Sequence, residues 1–162
     1  MIFQSLNIFF RSALARIRGD MEFDCPEILL VERWAQRSPM KKYYSFRVMQ
    51  RPHRQSNGCI NKWMGVCHSE ELFYLFLIPQ QVLESDKKLS QVICRSWASF
   101  AWTGNPGYAS NVRWTESFQR NSPYGLITDY TTRFMKLEHD SYRMINGYYS
   151  KCEKFWLNKL KC

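Results

Sequence analysis

No apolar run in this 162-residue chain approaches the ~18 residues that a membrane-spanning helix needs, so no membrane span is expected. Blocks of like charge are also missing. Basic residues outnumber acidic ones, 23 to 14, for a net charge of +9. The cations are spread out, with modest maxima at Lys41-Lys42, residues 51–54 and residues 151–161. There is no glycine-rich phosphate loop and no aromatic RNA-binding signature. The charge therefore reads as a solvated basic surface, with no nucleic-acid partner. A secretory signal is not expected either. The apolar stretch at residues 1–10 has no basic segment before it and is followed by Arg11, Arg16 and Arg18.

The cysteines lack any Cys-x-x-Cys pair, which removes the zinc-ribbon and thioredoxin patterns. His53, Cys59, Cys67 and His68 can be drawn as ligands, but their spacing matches no common metal site. No metal or cofactor is expected. Cys25, Cys59, Cys67, Cys94, Cys152 and Cys162 form an even set of six. Spacing alone does not fix their pairing, and the count permits an oxidising compartment.

The length suits one domain, and nothing repeats along it. Residues 2–17 carry apolar side chains at helical intervals. A second helix is expected to start with Asp24 as N-cap and Pro26 in its first turn, and to end at Ser38-Pro39. Residues 42–48, aromatic and β-branched, read as a central strand. A polar segment follows, with a turn at Asn57-Gly58. Residues 70–78 read as a helix ended by Pro79, and residues 85–102 as a helix that Ser85 caps and Gly104 stops. Residues 108–122 read as loop, 124–128 and 134–137 as short strands, and 142–160 as a last helix. The fold class is α/β. So few strands make a thin, incomplete sheet, and the expectation is that sequence precedes Met1.

One histidine stands out. Trp63-Met64-Gly65-Val66-Cys67-His68 ends at a small-residue turn just before an apolar helical run. An imidazole there can serve as a general base. A dyad with Cys67 is set aside because adjacent side chains diverge. Glu70 and Glu71 are poor as a facing acid pair, since consecutive helical residues point about 100° apart.

Several segments together carry a resemblance. They are residues 19–26 (Gly-Asp-Met-Glu-Phe-Asp-Cys-Pro), Tyr43-Tyr44-Ser45-Phe46, the Trp63–His68 segment, residues 97–106 (Trp-Ala-Ser-Phe-Ala-Trp-Thr-Gly-Asn-Pro), and Cys152 before Phe155-Trp156. In that order they resemble the type-B carboxylesterases and cholinesterases, over residues 19–157. The resemblance implies the C-terminal part of an α/β-hydrolase domain, here residues 1–162. His68 would be the catalytic base, with Trp63 and Glu71 as supporting residues, Glu71 and Phe76 matching a buried acid and an aromatic. It also implies a Cys25–Cys152 disulfide, a small ester as substrate of the full-length parent, and a secreted or extracellular setting. Terminal Cys162 permits a disulfide-linked dimer.

The departures count too. No Gly-x-Ser-x-Gly nucleophile motif occurs anywhere in the sequence. Ser69 replaces a frequent glycine, Glu70 a tyrosine and Phe73 an acid, and Thr115 follows Trp114 where proline is usual. These weaken an acetylcholine assignment and favour a general carboxylesterase or cholinesterase-like protein. The isolated chain is expected to be inactive. The alternative is a non-catalytic, cholinesterase-like adhesion protein or a degenerate remnant.

Overall fold

A computed structural model of the chain describes residues 2–53, 59, 61–76, 83–119, 132–146 and 152. The chain divides into two compact units, one of residues 1–43, 117–132 and 146–162, the other of residues 44–116 and 133–145.

In the first unit, α1 (Ile2–Gly19) runs through a π-helical turn, Asp20–Asp24, into α2 (Cys25–Arg37). The sequence points to a fresh helix start at Asp24, but Asp24 is itself helical (φ −60°, ψ −50°) and its side chain caps nothing. Pro26 has no N–H to give to a helical ladder. The turn before it widens, so that the Cys25 N–H reaches Asp20 O, and the helix continues through the gap. It ends where expected, the Ser38 N–H bonding to Trp34 O at 2.8 Å. The Tyr43 hydroxyl then donates to Trp34 O (2.9 Å) and Ser38 O (3.2 Å). Ala35 and Phe118 are buried together, packed by Val31 and Tyr43. Cys25 and Cys152 are bonded, with sulfurs 2.08 Å apart, across a sequence separation of 127. Closing so long a loop is worth about 5 kcal/mol in the chain-entropy picture.

The second unit holds the sheet. Its order is β1-β4-β5, where β1 is Phe46–Val48, β4 is Arg133–Glu138 and β5 is Ser141–Asn146. β1 runs parallel to β4, with Phe46 opposite Met135 and Val48 opposite Leu137. The strand expected to be central is thus short, and it lies at one edge among the described residues.

The expected helix over 142–160 begins instead as β5. His139 and Asp140 form a two-residue turn, Asp140 at φ 52°, that folds the chain back along β4. Tyr142 and Met144 then face the core while Ser141 and Arg143 face out, a period of two that overrides the helical pattern. The rest of that span lies outside the described residues, as do the turn at Asn57-Gly58 and the strand at 124–128.

α3 is Glu70–Leu75, and α4 is Glu84–Thr103. α4 starts one residue before the expected point, after Leu83, so Ser85 sits inside the helix and is not its cap. Gly104, at φ 72°, ends it as expected, donating to Phe100 O at 2.8 Å. The region read as loop contains a small hairpin, β2 (Tyr108–Ala109) with β3 (Val112–Arg113). Leu89 and Ile93 of α4 meet Met135 and Leu137 of β4, with Tyr74 and Trp114, in one buried cluster. Full burial of each aliphatic side chain contributes about 1.5–3 kcal/mol. No helix among the described residues is long and apolar enough to cross a membrane.

Candidate functional site

His68 is exposed, on the turn between a 3-10 helix (Lys62–Met64) and α3. Two left-handed residues bracket it. Gly65 (φ 67°) ends the 3-10 helix, and Ser69 (φ 69°, ψ 11°) leads into α3. Glycine adopts that backbone freely, whereas a serine there carries about 1 kcal/mol of strain. Cys67, next to His68, is bonded to Cys59, which ties the base of the turn across a sequence separation of 8. The sequence left this pairing open. Arg51 reaches the same short loop through the Cys59 carbonyl, and also donates from Nη1 to Asn61 O at 2.8 Å.

Trp63 and Glu71, the residues expected to support His68, are both half-buried. The buried acid of α3 is Glu70, 2% exposed, and Phe76 is exposed. Close by in sequence, Tyr74 is wholly buried, and its hydroxyl donates to Gln50 O at 3.2 Å. Burial first, then the charges of Asp86 and Glu70, push its ionisation far above the usual tyrosine range. Cys94 is half-buried and carries a free thiol. Cys162, which permits a disulfide-linked dimer, lies outside the described residues, and both disulfides described are intramolecular.

A second constellation has no counterpart in the sequence reading. Asp86, wholly buried, sits between two imidazoles. His53 Nδ1 lies 3.0 Å from its Oδ2, and His139 Nε2 lies 2.8 Å from its Oδ1. The His53 backbone N–H also donates to Oδ2, at 3.2 Å. The rings are parallel within 5°, their centroids 5.4 Å apart. Three elements meet here: the loop after β1, the first turn of α4 and the β4–β5 turn. The one signal in the sequence is that Asp86 falls on the same helical face as Leu89, Ile93 and Ser96, a charged residue on a buried stripe.

The same unit contains a cavity of about 290 Å³, walled by Tyr44, Phe46, Trp97, Phe100, Pro106 and Trp114, with Ser96 at its side. Ser96 Oγ and Trp114 Nε1 are its buried polar atoms without a hydrogen-bond partner. Such walls suit an apolar or aromatic group.

The carboxylesterase family model matches residues 5–156, almost the whole chain. This chain belongs to the carboxylesterase family. Acetylcholinesterase of Gallus gallus is 36% identical over 118 residues, which cover 68% of this chain and 15% of that protein. Acetylcholinesterase of Bungarus fasciatus is 36% identical over 100 residues, 59% of this chain and 16% of that protein. Acetylcholinesterase-1 of Trittame loki is 27% identical over 108 residues, 64% of this chain and 19% of that protein. This carboxylesterase-family chain thus aligns with less than a fifth of each of those relatives. Its mixed helices and small sheets accord with the α/β-hydrolase fold of the family.

Proposed function

We propose that this chain is the C-terminal portion of a carboxylic-ester hydrolase, and that His68 is its general base. In such an enzyme the His68 imidazole takes the proton from a serine hydroxyl as the oxygen attacks the ester carbonyl. It then returns that proton to the departing alcohol. The observation that carries this reading is the placement of His68. It is exposed at the end of Trp63-Met64-Gly65-Val66-Cys67-His68, on a turn held by the Cys59–Cys67 disulfide and by left-handed Gly65 and Ser69. The family membership supports the same reaction class. Both disulfides favour an extracellular or lumenal setting.

The serine and its Gly-x-Ser-x-Gly elbow are not in this sequence. Since the members of a triad act as a unit, an imidazole without nucleophile and oxyanion donors accelerates ester cleavage very little. The purified chain is therefore expected to hydrolyse an aryl acetate at the same rate as its His68→Ala variant. Turnover by the chain that disappears in His68→Ala would overturn the predicted inactivity. Reading the transcript upstream of Met1 tests the parent enzyme. An in-frame Gly-x-Ser-x-Gly supports the esterase, and a replaced serine supports the adhesion-like alternative.

A further inference from the structure

We propose that His53, Asp86 and His139 form a binding site for a divalent transition-metal ion, with zinc the expected occupant. The inference stands apart from the ester-hydrolase reading and does not use His68.

The donor set comes first. Two imidazole nitrogens and a carboxylate oxygen, one from each residue, all lie within 4.8 Å of one another. Imidazole suits zinc, copper, nickel and iron, whereas magnesium and calcium prefer sites made of oxygen alone. Zinc holds nitrogen and carboxylate oxygen at about 2.0–2.2 Å, so adjacent tetrahedral ligands stand roughly 3.3 Å apart. The His–Asp separations, 3.0 Å to Oδ2 and 2.8 Å to Oδ1, run to the two oxygens of one carboxylate, so an opening of about half an ångström with a rotation of the carboxylate brings both nitrogens and one oxygen to that spacing. The parallel rings set both nitrogens toward the same carboxylate.

Charge points the same way. Asp86 is completely buried, and burying a carboxylate is costly unless a cation compensates it. An imidazole supplies charge to it only when protonated, whereas a divalent ion supplies both bonding and charge. For metal to bind, each ring must present a lone pair at the nitrogen that now faces Asp86, its proton moving to the other ring nitrogen. The His53 side chain is 46% exposed, which gives that proton and the entering ion access to solvent. Solvent can then fill the remaining coordination position.

The surroundings hold the donors in place. The His53 N–H to Oδ2 bond fixes the carboxylate. The Gln50 backbone carbonyl accepts a hydrogen bond from the Tyr74 hydroxyl, and its side-chain Oε1 accepts one from the His139 N–H at 3.5 Å. Oriented neighbours of this kind tune metal sites. Residues 53, 86 and 139 come from separate elements of one unit, so a bound ion would also pin the loop after β1 to α4 and to the β4–β5 turn.

The test is titration of the metal-free 162-residue chain with zinc by calorimetry, and with cobalt(II) by absorption. Circular dichroism checks that each variant folds. One equivalent is expected to bind, with visible cobalt bands and no near-ultraviolet sulfur-to-cobalt charge-transfer band, which excludes Cys94. His53→Gln, at the more exposed position, and His139→Gln are each expected to weaken binding about tenfold or more. Zinc is expected to raise the melting temperature of the native chain more than that of either variant. Failure of the native chain to bind, a sulfur charge-transfer band, or binding retained within twofold in both variants would each show that the three residues form a hydrogen-bonded bridge only.

Discussion

Two histidine neighbourhoods in one unit differ in how they are built. His68 is held by chain-local devices: a glycine turn, a strained serine and a disulfide between residues 59 and 67. It reaches outward. His53 and His139 are held by a buried carboxylate contributed from 33 and 53 residues away, and the three share one knot. The first arrangement leaves an exposed side chain on a locally braced turn. The second joins three elements to each other. Sequence motifs record the first kind well, because every part of it lies within a few residues, and they miss the second.

That contrast can be broken by substitution. The largest effect is expected from Asp86→Ala, which removes the buried carboxylate that ties His53 and His139 to α4. It should cost about 3 kcal/mol in urea unfolding. A loss below about 1 kcal/mol would mean that the knot does not join the three elements. Next comes the double change Cys59→Ser with Cys67→Ser. It frees the base of the His68 turn and should cost about 2.5 kcal/mol by loop entropy, read as a lower unfolding midpoint.

Ser69→Gly should go the other way. It relieves the left-handed strain and raises stability by about 0.5–1 kcal/mol, unless the freedom that glycine adds to the unfolded chain cancels the gain. The smallest change is expected for His68→Ala, within about 0.5 kcal/mol of the native chain, because the side chain is exposed. If it proves as damaging as Asp86→Ala, the distinction between outward-facing and joining histidines fails.

Much of the architecture was visible in the residues. The amphipathic stripe of α4 and its Gly104 stop, the helix ending at Ser38-Pro39 and the strand around residues 134–137 all follow local rules. The family segments were readable too, since their order along the chain is itself sequence information. What failed did so for physical reasons. Asp24 has the chemistry of a cap, but a π turn ahead of Pro26 keeps the helix going. Residues 142–146 have apolar side chains compatible with either period, and pairing with β4 decides for a strand. At the candidate site, His68 was identifiable from its motif. The Asp86 knot was not, because only folding brings residues 53, 86 and 139 together.

The Cys25–Cys152 bond makes most of the chain a covalent ring. All of residues 44–116 and 133–145, and so both histidine neighbourhoods, lie on that ring in sequence. A single protease cut anywhere between the two cysteines leaves the pieces attached, and they separate only on reduction. A nicked population therefore migrates as two-fragment material in reducing electrophoresis while keeping its full mass without reductant. Limited digestion followed by that pair of gels maps which segments open first, without losing the molecule that holds them.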